Sequence, residues 1–186
     1  MTTAVRPVPA AGSGAWPLPG DVAADTGRRL HFSPMGEADL DAVHEIEKQA
    51  HSHPWSRRNF ADSIAAGHPA VLLLGEGDAG QPDILLGYLV GMPGFEEVHL
   101  LNITVAPGYR RQGFAGLLLD ALVLWSRGQG ARQLWLEVRQ SNVPARRLYE
   151  RYGFAEVAVR KGYYPLSSHQ REDAVVMCLL LDGERS

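Results

Sequence analysis

Residues 102–118, Asn-Ile-Thr-Val-Ala-Pro-Gly-Tyr-Arg-Arg-Gln-Gly-Phe-Ala-Gly-Leu-Leu, restrict this chain more than any other stretch. A β-branched run stops at Pro107-Gly108. A basic turn punctuated by glycine follows, and an apolar helical stripe begins at Phe114. That order predicts a strand, a loop with free backbone N–H groups, and a helix N-terminus aimed at whatever the loop holds. Free amides and the positive end of a helix dipole make an anion site, here suited to a pyrophosphate. Glycines let the backbone approach the phosphate oxygens, and Arg110 and Arg111 add charge at the rim. No Lys follows Gly113, as a Walker loop requires, and the three-glycine order of a Rossmann turn is missing. The alternative is an ordinary strand-turn-helix with a basic surface turn.

The remainder of the chain predicts a single α/β domain around this loop. Its 186 residues suffice for one well-buried core and leave little room for a second. Residues 1–27 are rich in Pro, Ala, Gly and Thr and bury too little to offset their ordering entropy; they are expected to form a flexible tail, docked if at all through Trp16. The domain is expected over 28–186. Leu30-His31-Phe32 suits a first strand, and Glu37–Ala50 a helix, with Leu40, Val43, Ile46 and Glu47 at helical spacing. His51-Ser52-His53-Pro54-Trp55 breaks that helix, and Ser56 caps another running through Phe60 and Ile64 to Gly67. Strands follow at Ala70–Gly75, Ile84–Met92 and Val98–Val105. The helix after Gly113 is apolar on more than one side and ends at Gly128 and Gly130. Gln133–Arg139 forms a strand, Asn142-Val143-Pro144 opens a helix closed by Gly153, and two strands finish the chain, the last at Ala174–Leu181. This alternation implies a mixed sheet with helices on both faces.

Charge and cysteine usage narrow the function. A net charge of −3 argues against direct nucleic-acid binding and tolerates a basic peptide. The lone Cys178 forms no internal disulfide and is expected to be a core residue. No apolar run approaches the ~20 residues of a membrane span, and the N-terminus carries no apolar core of signal-peptide type, so the cytoplasm is the expected compartment. His51 and His53 lack carboxylate or Cys partners nearby in sequence; they are expected to be loop residues, and no metal is expected. Oligomeric state is open, with a monomer slightly favoured.

One strand carries a candidate catalytic group. In Leu134-Trp135-Leu136-Glu137-Val138-Arg139, alternation places the two leucines and Val138 on one face and Trp135, Glu137 and Arg139 on the other. A carboxylate among large apolar residues is costly unless paired or functional. Glu137 is therefore a candidate general base; the alternative is an edge-strand glutamate paired to Arg139.

The order Val-x-Pro, then Arg110-x-x-Gly113-x-Ala115, resembles the acetyl-CoA loop of the GCN5-related N-acetyltransferases (the GNAT family), with Ala115 where many relatives carry Gly. The run Asn142-x-x-Ala145-x-x-Leu148-Tyr149-x-x-x-Gly153-Phe154 agrees with it. The resemblance covers Leu30 to Leu181 and implies the GNAT fold, with about seven strands. It implies that Glu137 accepts a proton and that Tyr149 donates one to the departing thiolate, although a core tyrosine is the other reading. Ile103, Thr104, Val105, Arg111, Gln112, Gly113, Phe114, Ala115, Gly116 and Asn142 would contact acetyl-CoA; helix capping alone also explains Asn142. Pro54-Trp55, Leu134–Arg139 and Arg160–Pro165 resemble, within that family, a bacterial branch acting on ribosomal protein S18. The implied acceptor is the N-terminal alanine of S18 or a similar basic peptide. Tyr163 and Tyr164 would form a lip for that peptide or simply pack a hairpin. The rivals are acetylation of a lysine side chain or a small amine, and a non-catalytic acyl-CoA-binding subunit.

Overall fold

The computed structural model describes residues 28–167 and 169–181; residues 1–27, with Trp16, lie outside them. In chain order the elements are β1 (Leu30–Pro34), α1 (Leu40–Ala50), α2 (Arg57–Ala65), β2 (Ala70–Gly75), β3 (Ile84–Pro93), β4 (Glu97–Val105), α3 (Phe114–Gly128), β5 (Gln133–Arg139), α4 (Val143–Tyr152), β6 (Ala155–Pro165) and β7 (Arg171–Leu180). The seven strands form one sheet in the order β1-β2-β3-β4-β5-β7-β6. All neighbours are antiparallel except β4 and β5, which run parallel.

The near-continuous apolar runs of β2 and β3 suit strands covered on both faces. Val71, Leu73, Leu86 and Leu89 join one core with Leu118, Leu119 and Leu122 of α3. Ala70, Leu72, Tyr88 and Val90 join a second core with Leu40 and Val43 of α1 and Phe60 of α2. Each fully buried leucine of this kind contributes about 2 kcal/mol through removal of apolar surface from water. By contrast β5 alternates, with Leu134, Leu136 and Val138 buried in the first core and Trp135, Glu137 and Arg139 half-buried. The second core draws no residue from β5. That asymmetry leaves the Glu137 face of β5 open.

Local signals explain the boundaries. Ser56 Oγ accepts from Asn59 N at 3.2 Å, and Asn59 Oδ1 accepts from Ser56 N at 2.8 Å, closing a reciprocal cap on α2. The helix expected from Glu37 opens instead with a 3₁₀ turn, Glu37–Asp39, because Asp39 Oδ2 turns back to accept from Gly36 N at 2.8 Å. The last strand starts at Arg171 rather than Ala174, pairing Arg171 with Pro165 and lengthening the β6–β7 hairpin. Among the described residues no helix is long and apolar enough to cross a membrane.

Candidate active site

The site begins where the sheet opens. β4 and β5 pair only from Glu97 opposite Gln133 to Leu100 opposite Leu136. Beyond that point β4 continues against β3 as far as Val105 opposite Gly87, and β5 continues against β7 as far as Arg139 opposite Ala174. The two strands persist while the ladder between them stops. A bulge marks the place: Val90 faces Asn102 and Gly91 faces Leu100, so Leu101 has no partner opposite. β4 thus presents unpaired backbone from Leu101 onward on the side facing β5.

A cleft of about 640 Å³ lies on one side of this opening, lined by Ile103, Thr104, Val105, Arg110, Arg111, Gly113, Phe114, Ala115, Gly116, Asn142 and Tyr149 among others. Its floor is the turn between β4 and α3. Arg111 (φ 66°) and Gly113 (φ 88°) both adopt left-handed backbone. For arginine that conformation is strained, and strain of this kind collects at functional loops. A Cβ built on Gly113 or Gly116 would meet nothing within 4 Å, so both glycines border open space. Gly116 N and Leu117 N bond to Gly113 O; the amides ahead of them have no intrahelical acceptor, and Gly113, Phe114 and Ala115 line the cleft. Arg110 braces the turn through bonds to Ala50 O at 3.2 Å and Val105 O at 3.4 Å. Of the residues expected on this loop, Gln112 alone is exposed and outside the lining.

A second groove, of about 430 Å³, occupies the other side. Glu137, Tyr164, Glu47, Trp55, Asn102 and Leu136 help line it, and it shares His51, Ile103, Asn142, Ala145 and Tyr149 with the first. Tyr149 therefore stands at the junction. It is buried, and burial pushes its phenol above the ordinary range. Asn142 caps α4, its Oδ1 accepting from Ala145 N at 3.3 Å, and lines both clefts.

Glu137 is paired with Arg160 rather than with Arg139. Arg139 bonds to Glu172 Oε2 at 3.3 Å and Pro165 O at 3.1 Å, and lies 4.5 Å above the Tyr164 ring. Tyr164 lines the second groove and donates to Glu137 O at 3.1 Å; burial, then the Glu137 charge, push its phenol up to about 12. Tyr163 lies outside the groove lining, yet a hydrogen bond to Glu137 raises its phenol above the ordinary range. Cys178 is a buried strand residue, its thiol pushed up by burial.

Facing Glu137 across the groove is a group not singled out by its sequence. Glu47 is 2% exposed. Its carboxylate accepts from Trp55 N at 2.9 Å, Asn102 Nδ2 at 3.1 Å, Thr104 Oγ1 at 3.3 Å and the Tyr88 hydroxyl. His51, expected to be a plain loop residue, joins this cluster through Thr104 Oγ1 at 2.8 Å. The available signal was a carboxylate within the apolar stripe of α1.

The open sheet and the amide-lined cleft are those of an acyl-transfer fold, and the chain belongs to the acetyltransferase (GNAT) family, whose model matches residues 40–154. It is 38% identical over 150 residues to the [ribosomal protein bS18]-alanine N-acetyltransferase of Haemophilus influenzae, covering 81% of this chain and 98% of that protein. The Escherichia coli K12 enzyme of the same description is 37% identical, with 80% and 95% covered. A crystal structure of the E. coli ribosomal-protein-S18-alanine N-acetyltransferase superposes with a TM-score of 0.71 at 35% identity, covering 85% of this chain and 99% of that one.

Proposed function

We propose that this protein transfers the acetyl group of acetyl-CoA to the N-terminal α-amine of ribosomal protein S18 or a similar basic peptide in the cytoplasm. The observation that carries this reading is the meeting of two grooves at Tyr149, one with an amide-lined anion floor and one with Glu137. The first suits the diphosphate and pantetheine arm: amides ahead of α3 for the phosphates, Asn142 near the arm, and unpaired β4 backbone from Ile103 to Val105 alongside it. The second suits an extended peptide whose amine enters beside Glu137, with Tyr164 at its lip.

Acetyl-CoA supplies an activated acyl carbon; the rest is done by residues of the chain. Glu137, directly or through water, takes a proton from the incoming ammonium. The amine nitrogen attacks the thioester carbon, the carbon–sulfur bond breaks, and Tyr149 gives its proton to the departing sulfur. Because burial raises the Tyr149 phenol, it stays protonated through the pH range in which an amine becomes neutral. A β4 backbone N–H polarises the carbonyl oxygen, a contribution worth about 3–4 kcal/mol in comparable sites. An α-amine, with pKa ~8 against ~10.4 for lysine, is neutral about 200-fold more often at pH 7, so one carboxylate has modest work to do.

Mass spectrometry tests this directly. Incubated with acetyl-CoA, an Ala-initiated basic peptide should gain one acetyl group at its N-terminus, whereas an N-blocked, lysine-containing counterpart should gain none. Acetylation of the blocked peptide at comparable rate would shift the assignment to lysine.

A further inference from the structure

A cation already sits on Glu137 in this structure. Arg160 Nη1 donates to Glu137 Oε1, and the two side chains are 54% and 27% exposed. Arg160 is also held from behind, its guanidinium carbon 4.1 Å above the Tyr163 ring, which packs edge-on against Tyr164 at 5.0 Å between centroids. The hairpin is bent to bring these groups inward. Arg160 stands opposite Ala174 and Tyr164 opposite Glu172, so Lys161, Gly162 and Tyr163 share the single partner Asp173. Asp173 fixes that bulge through Gly162 N at 2.8 Å and Lys161 Nζ at 2.6 Å. Gly162 supplies the left-handed turn, at φ 57°. Arg139 is committed to Glu172 and Pro165, and among the described residues Glu137 is the carboxylate with which Arg160 pairs.

Resting on the acetyl-transfer reading above, we infer that Arg160 is a latch on Glu137 that the substrate's own ammonium displaces. A peptide α-amine arrives charged and must place that charge against Glu137 before losing a proton. Two cations held on one carboxylate repel each other, so an ammonium drawn onto Glu137 weakens the hold of the guanidinium on Oε1. Half-exposed ion pairs contribute little, and the Tyr163 face on which the guanidinium already rests keeps hold of it once it lets go of Glu137. The latch thus keeps the carboxylate oriented toward the groove in the resting enzyme and yields to a ligand bearing a free ammonium. A capped N-terminus has no charge with which to open it. Arg160 is a positioning residue that acts through Glu137.

The test compares the full-length wild type with Arg160→Gln and Arg160→Lys, varying an Ala-initiated basic peptide at saturating acetyl-CoA. Arg160→Gln should lower the peptide KM by about 5-fold, the most an exposed pair of this kind supplies, with the acetyl-CoA KM unchanged. Arg160→Lys should restore the wild-type KM. Calorimetry with the N-acetylated peptide should find the same affinity for wild type and Arg160→Gln. A peptide KM unchanged or raised in Arg160→Gln overturns the latch. So does equal tightening of the acetylated peptide, which would mean only that one positive charge had been removed near a basic ligand. If the wild type turns over no such peptide, the function and the latch fall together; turnover with an unchanged KM removes the latch alone.

Discussion

Two glutamates face one groove and could hardly be held more differently. Glu47 is sealed between α1, β3 and β4, with donors from Trp55, Tyr88, Asn102 and Thr104 on its two oxygens. Glu137 is half-buried at the open end of β5, with an exposed guanidinium and two tyrosines around it. Both are carboxylates lining the same groove. A buried carboxylate that accepts from several donors is locked, because moving it strands them together. A carboxylate with an exchangeable partner is available. On the acetyl-transfer reading, it is the replaceability of its partner, and not proximity to the groove alone, that suits Glu137 to act as the base.

The largest expected effect lies on the locked side. Glu47→Ala leaves buried donors from β3, β4 and the turn before α2 without an acceptor and opens a void, which should cost about 3 kcal/mol or more of stability. Urea unfolding measures it. Glu47→Gln keeps the shape and lets the Tyr88 and Thr104 hydroxyls rotate, so it should cost well under half as much. If Glu47→Ala unfolded within about 0.5 kcal/mol of wild type, the range of an ordinary surface change, the contrast between the two glutamates would vanish.

On the other side the order of effects reverses. Glu137→Gln should lower kcat by about 100-fold or more, the usual loss of a positioned general base, while the unfolding midpoint barely moves. Tyr149→Phe should lower kcat by a similar factor with acetyl-CoA binding retained. Stopped-time acetylation assays beside equilibrium unfolding give both numbers. Near-wild-type turnover in both variants would remove the pair from the mechanism.

Only part of this contrast was legible in the sequence. The face of Glu137 followed from strand alternation, and the Ser56 cap, the helix apolar on more than one side and the glycine-marked turn before it followed from local chemistry. Glu47 was visible at helical spacing beside Leu40 and Val43, yet its role was not. Its partners Tyr88, Asn102 and Thr104 lie 41, 55 and 57 residues further on, and only the folded sheet gathers them. The pairing of Glu137 with Arg160 instead of Arg139 depends on a bulge fixed by Asp173, which no periodicity announces. The opening between β4 and β5 is likewise a matter of a ladder that stops, and backbone pairing leaves almost no trace in side-chain order.

The loop that joins the two regions gives a smaller effect. Gly113→Ala places a side chain at φ 88°, where space is open but the backbone conformation is not favoured. Reshaping the amides ahead of α3 should weaken CoA binding by about 10-fold, equivalent to ~1.4 kcal/mol. Calorimetry with CoA would show it, and an unchanged affinity would place the diphosphate elsewhere.

The smallest change tests how far the locked side stays separate from the chemistry. Ser56 caps α2 immediately after Trp55, whose backbone N–H bonds to Glu47. Ser56→Ala removes the side-chain acceptor for Asn59 N and should cost about 1 kcal/mol of stability. Because the Trp55 bond to Glu47 is a backbone contact, it should persist and hold the turn in register. Then kcat and the peptide KM remain those of wild type while the unfolding midpoint falls. If Ser56→Ala instead raised the peptide KM in step with its loss of stability, the cap and the groove would be one cooperative unit, and Glu47 would govern substrate binding as well as folding.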